Sequence, residues 1–147
     1  MNSVFLDTNF FLDIFDKKRE RHPKAKEVLK LFLDNNVELY TSSDIISTIS
    51  YFLQKKLDLK SSVTNIDFIV QQVTILVATN KDFGELNQMI FQKIEEDTKL
   101  NIDYEDCMQL FLANKYNVKS MLTSDKSFCN GIKQNYNVQV ITLEECL

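Results

Sequence analysis

Aspartates stand at three places far apart in the 147-residue chain where they could act on one chemistry: Asp7, the pair Asp103 and Asp106, and Asp125. Asp7 closes a short apolar run, Val4-Phe5-Leu6. Asp125 stands just past a second one, Ser120-Met121-Leu122-Thr123. Asp103 and Asp106 are three apart where a helix opens, a spacing that puts both on one helix face and sends Glu105 elsewhere, toward solvent. Gathered carboxylates repel, and each raises its neighbour's pKa. A hard divalent cation removes that penalty. Mg²⁺ takes oxygen ligands and binds through one or two carboxylates plus substrate phosphates. Such an ion lowers the pKa of a bound water and stabilises charge on a phosphodiester. The chemistry open to these acids is therefore metal-assisted hydrolysis. It needs no thiol or imidazole, and the only histidine, His22, lies in a basic stretch. A Ser-His-Asp or Cys-His route would have to run through that residue, so it is set aside. Each acid also has a plainer reading. Asp7, Asp103 and Asp125 are placed to cap helices, and Asp106 to favour a helix dipole. Placement alone leaves both readings open.

The elements that would position these acids follow from hydrophobic spacing. Residues 3–6 read as a buried strand running into a polar turn, and 10–15 as one or two helical turns. A basic loop leads to Pro23, which suits the first turn of a helix. That helix carries Ala25, Val28, Leu29, Phe32 and Leu33 on one face and ends near Asn35-Asn36. A strand at 37–41 follows, then a helix capped by Ser42 or Ser43, whose apolar face is Ile45, Ile46, Ile49, Phe52 and Leu53. Ser61 or Ser62 opens a further helix. The run 73–78 reads as a buried strand. Asn80 caps a helix to about Ile94, and Asp103 occupies the N-cap position of the next. Residues 120–123 and 138–142 are the last strands; Ser124-Asp125-Lys126 follows the first of them, then a short helix to about Asn130-Gly131. Strands alternating with helices, the strands of buried type, predict an α/β fold: three layers, α/β/α, with a central parallel sheet of four to five strands. In open sheets of this kind the functional crevice lies beyond the carboxyl ends of the strands, where Asp7 and Asp125 both stand.

Composition sets outer limits. The chain is 44% hydrophobic and 26% charged, with two glycines and one proline, which disfavours a turn-rich all-β fold. No linker or repeat interrupts it, so residues 1–147 read as one domain. No apolar run reaches the ~20 residues of a membrane helix. Cys107, Cys129 and Cys146 are odd in number and lack CxxC spacing, so they read as thiols of a cytoplasmic protein rather than a disulfide or zinc framework. The net charge of −4 counts against a nucleic-acid partner, although clustered acids contribute to it. The basic residues concentrate between Lys17 and Lys24 and at Lys55-Lys56, where a solvated loop and a helix end are favoured over phosphate binding.

The run Phe5-Leu6-Asp7-Thr8-Asn9 resembles the opening of PIN-domain ribonucleases. Asp103-Tyr104-Glu105-Asp106-Cys107 resembles the D-x-E-D-A motif of one bacterial branch, and Leu122-Thr123-Ser124-Asp125 its T-x-D segment before an aromatic residue. The three motifs occur in order over essentially the whole chain. The resemblance implies a PIN-like fold, Mg²⁺- or Mn²⁺-dependent RNA cleavage, and the toxin half of a VapBC-type toxin–antitoxin pair. A cognate antitoxin partner and a homodimer follow from it too. Asp7, Asp106 and Asp125 match metal-site acids and Asp103 an additional catalytic acid. Asn9 and Thr123 match supporting polar residues. Many members carry a glutamate on the helix after the second strand, where this chain has Thr48. Asp44, one helical turn earlier, is a possible substitute, and Asp103 another.

Two other readings compete. A catalytically degenerate PIN-like domain would bind protein or RNA without cutting, a reading that Thr48 and the acidic balance motivate. Phosphoryl transfer through a nucleophilic Asp7 would ordinarily need a second aspartate two residues on, where Asn9 stands.

Overall fold

Ser3–Leu6 forms strand β1, and every one of its residues is buried. A strand buried on both faces must lie inside a sheet covered by helices on either side. In the computed structural model, which describes residues 2–124 and 127–147, β1 is the central strand of a five-stranded sheet. Its partners are β2 (Glu38–Ser42) and β4 (Ser120–Leu122), both parallel, with Phe5 opposite Tyr40 and Met121. Outside these lie β3 (Thr74–Leu76) and β5 (Gln139–Ile141), also parallel, giving the order β3-β2-β1-β4-β5. The chain moves outward from β1 to one side and then returns to build the other. The order therefore reverses between β1 and β4, and the crevice beyond their carboxyl ends is the switch point of the sheet.

The helices are α1 (Thr8–Phe15), α2 (His22–Asp34), α3 (Ser43–Lys56), α4 (Leu59–Gln72), α5 (Asn80–Glu96), α6 (Tyr104–Lys115) and α7 (Leu143–Cys146). Helix α1 packs on α2 and α3, α3 on α4, and α5 on α6, while α6 also touches β2 and β4 on either side of β1. One continuous core runs through the sheet, including Phe5, Leu6, Ile45, Ile49, Leu110 and Met121. No described helix is long and apolar enough to cross a membrane.

Several expectations shift. Helix α1 starts at Thr8 rather than Phe10, β2 lies one residue later than expected, and Phe52, expected on the apolar face of α3, is 41% exposed. Helix α4 starts at Leu59 rather than at Ser61 or Ser62, because Asp58 caps it by accepting the Ser61 N–H at 2.7 Å. Strand β3 has three residues instead of six. It lies at the sheet edge with one partner, and Val77 beyond it is 57% exposed. The cap of α5 is Thr79, one residue before Asn80, in a reciprocal capping box with Asp82. The expected helix after Asp125 begins outside the described residues. Along the rest of its expected course, Cys129 and Gly131 take positive φ values of 52° and 97°, which no helix accepts. Turns lead instead to a single 3₁₀ turn at Lys133–Asn135. Helix α7 is an addition to the expected elements, though Thr142 and Glu145 form the capping box that announces it.

Candidate active site

The end of β1 delivers Asp7 to the switch point with extended backbone, and its side chain turns back to cap α1, accepting the Phe10 N–H at 2.9 Å. Asp103 does the same for α6, accepting the Asp106 N–H at 3.0 Å. The plainer reading of both residues is thus realised. Capping also fixes where each helix starts, and so brings the acids together. Asp7, Asp103, Glu105 and Asp106 all line one cleft of about 630 Å³, within the roughly 300–1,000 Å³ usual for ligand sites. Asn9, Thr48 and Gln109 complete the same wall region.

Asp7 is nine-tenths buried. Burial, the largest effect, pushes its carboxyl up to about 6, and the charges of Asp106 and Asp13 push the same way. The Phe10 N–H and a hydrogen bond from Thr123 oppose them. Thr123 is itself buried at the end of β4, so the last of the strand-end motifs contributes to the first. Asn9 donates to the Ser124 hydroxyl at 3.5 Å and accepts from Arg19 at 3.4 Å. Asp125 lies outside the described residues. Among the described residues, no group of three His, Cys, Asp or Glu side chains is close enough to hold a metal.

Glu105 departs from its expected orientation. It is exposed, yet it faces the cleft, where burial and then Asp103 and Asp44 raise its pKa. Asp44 sits in the first turn of α3, exposed and outside the residues lining the cleft. Thr48 does line it, its hydroxyl turned back to the Asp44 carbonyl at 3.1 Å. The structure therefore supplies no carboxylate at the Thr48 position, while Asp103, Glu105 and Asp16 line the cleft besides Asp7 and Asp106.

The basic stretches also change meaning. Lys55 and Lys56 do form a helix end and remain exposed, but together with Arg19 they line the same cleft as the acids. Arg19 is fixed by the buried Asp13, Nε to Oδ1 at 2.7 Å, and Lys56 by Asp16 at 2.6 Å. Sequence spacing hints at this only in part, since Thr48, Phe52 and Lys56 recur at four-residue intervals on one face of α3.

A parallel sheet with its acids at the β1/β4 switch point defines the fold class, and residues 3–127 match the family model described as PIN domain. The chain belongs to the PIN-domain family. It is 34% identical over 147 residues to ribonuclease VapC1 of Aquifex aeolicus (strain VF5), covering 99% of this chain and 94% of that protein. Among solved structures, VapBC-1 from nontypeable Haemophilus influenzae matches with a TM-score of 0.71 at 12% identity, covering 97% of this chain and 98% of that one. VapBC2 from Rickettsia felis, bound to a DNA fragment from its promoter, gives 0.70 at 17% identity, over 95% and 98%. Mycobacterium tuberculosis VapC20, a toxin that cleaves the sarcin–ricin loop, gives 0.63 at 14%, over 92% and 98%. These three share the fold.

Proposed function

We propose that the protein is an endoribonuclease that hydrolyses RNA phosphodiester bonds with Mg²⁺ or Mn²⁺, and that it is the toxin of a type II toxin–antitoxin pair. The observation that carries this reading is the electrostatic pairing of Asp7 with Asp106 in one cleft at the switch point. The Asp106 charge, from a segment far away in the chain, adds to the proton affinity of Asp7, and a divalent cation between them would offset that repulsion. Whole-length identity to a ribonuclease supports it further and disfavours the degenerate binding module.

The residues present fit a hard divalent ion. All the cleft acids offer oxygen, the donor that Mg²⁺ and Mn²⁺ prefer. Asp7, Asp106 and Asp125 would hold it, with Asp103 as an additional acid at the helix start. When bound, the ion supplies an activated water and stabilises charge on the phosphate. The chain's own residues prepare the site. Thr123 donates to Asp7 and favours its ionised form. Arg19 and Ser124 fix the Asn9 amide beside it.

An antitoxin needs a surface on which to dock. An apolar groove of about 450 Å³ between α1, α2 and α4, lined by Ile14, Phe15, Leu29, Leu33 and Phe68, is suited to a helical or extended segment of such a partner. Cys107, Cys129 and Cys146 are free thiols, which suits the reducing cytoplasm.

Cleavage of a single-stranded RNA with Mn²⁺ present or chelated tests the activity. Cleavage should require the ion and should be lost in Asp7→Asn and Asp106→Asn. Undiminished cleavage in EDTA would refute the metal mechanism.

A further inference from the structure

Phe52 is the aromatic residue that lines the acid cleft, and it is 41% exposed there. A half-exposed phenyl ring in a cleft gains free energy when an apolar surface covers it, and a flat one can stack on its face. Its neighbours say what kind of surface. Lys55 and Lys56, three and four residues on, share its face of α3 and line the same cleft. Arg19 joins them from the α1–α2 connection. The Lys55 ammonium lies 4.2 Å from the ring centroid of Tyr51, which meets Phe52 edge to face at 5.7 Å. The cleft is thus lined by acids and also by an exposed ring with three cations, of which Arg19 and Lys56 are held by Asp13 and Asp16, in a chain whose net charge is −4.

We propose that Phe52 is a specificity residue that stacks an unpaired base beside the scissile phosphate, while Lys55 and Arg19 hold the flanking phosphates. The inference rests on the ribonuclease reading and deepens it. Aromatic rings between basic side chains are how proteins grip single strands, because every base offers a flat face. A base inside a duplex is already stacked and cannot reach the ring. The substrate is therefore RNA with at least one unstacked nucleotide at the cut. A protein segment could cover Phe52 as well, but an apolar peptide would gain nothing from the cations and an acidic one would offer no flat ring to stack, whereas a nucleotide supplies both a base and a phosphate.

The test measures binding rather than cleavage. In an Asp7→Asn background, which keeps RNA intact, the affinity of a fluorescent single-stranded oligoribonucleotide is followed by anisotropy, with a fully paired duplex alongside. Phe52→Ala should weaken single-strand binding by roughly 5- to 150-fold and leave duplex binding unchanged. Phe52→Trp should restore it, and Phe52→Leu should not, although Leu is equally apolar. Lys55→Ala should flatten the dependence of log K on log salt by about 0.7, whereas Phe52→Ala should leave that slope alone. Thermal melting should be close to the parent's in all four, since these side chains are exposed. Equal single-strand affinity in Phe52→Ala, or full recovery in Phe52→Leu, would overturn the proposal. So would a Phe52→Ala variant that binds RNA normally and loses its antitoxin, which would assign the ring to a protein partner. If the parent binds no RNA at all, the ribonuclease reading fails and takes this inference with it.

Discussion

Replacing Asp7 by Asn should make the metal-free protein more stable at neutral pH. The carboxyl is pushed up to about 6 from an ordinary value of 3.8. At about 1.4 kcal/mol for each pH unit, ionising Asp7 in the fold costs about 3 kcal/mol. Because the folded value is raised, the stability in question is fully present below about pH 4 and is lost as pH rises through about 6. Asn removes the charge, keeps the shape, and is as good an N-cap as Asp, so the bond to the Phe10 N–H survives. Urea denaturation in EDTA at about pH 7.5 should find Asp7→Asn more stable by about 2–3 kcal/mol, with the gap closing toward about pH 4. Adding Mn²⁺ should stabilise the parent by mass action and leave the variant unmoved. An Asp7→Asn protein less stable than its parent in EDTA at neutral pH would show that burial and acid–acid repulsion do not dominate at this residue.

Two further substitutions probe the same site. Thr123→Val removes a hydrogen bond to the Asp7 carboxylate, an interaction with a charged acceptor that contributes about 1.5–3 kcal/mol. The acid limb of the pH–rate profile should move up by about one to two units, and an unshifted limb would argue against the contact. Thr48→Glu places a carboxylate on a cleft wall that has a hydroxyl there. It should tighten Mn²⁺ binding in calorimetry while lowering metal-free stability, because like charges gain a shared counter-ion only when the metal is present.

The parts of this fold that are legible in the sequence are those specified locally. Asp103 reads as an N-cap because a cap is a property of three or four residues, and α6 starts where that predicts. The run Val4-Phe5-Leu6 reads as a strand buried on both faces, and β1 is the central one. Spacing does not carry the strand order. Whether Asp7 meets Asp106 depends on β4 returning beside β1, a long-range pairing that no window of residues encodes. The cationic wall is hidden for the same reason. Lys55 and Arg19 look like solvated surface until α1 and α3 are packed together. Helical angle alone sends Glu105 to solvent, yet the cleft wraps far enough around α6 to include it. The apolar run at 73–78 reads as a full buried strand, and its place at the sheet edge leaves only Thr74–Leu76 paired.

Aspartates from three segments sharing one divalent ion are the centre of the proposed mechanism. Mn²⁺ titration calorimetry on the parent, Asp106→Asn and Asp125→Asn, at about pH 7.5 where Asp7 is ionised, tests this directly. The parent should bind the ion, and both variants should lose most of that affinity. Parent-like Mn²⁺ affinity in Asp125→Asn would contradict a site shared by the three segments.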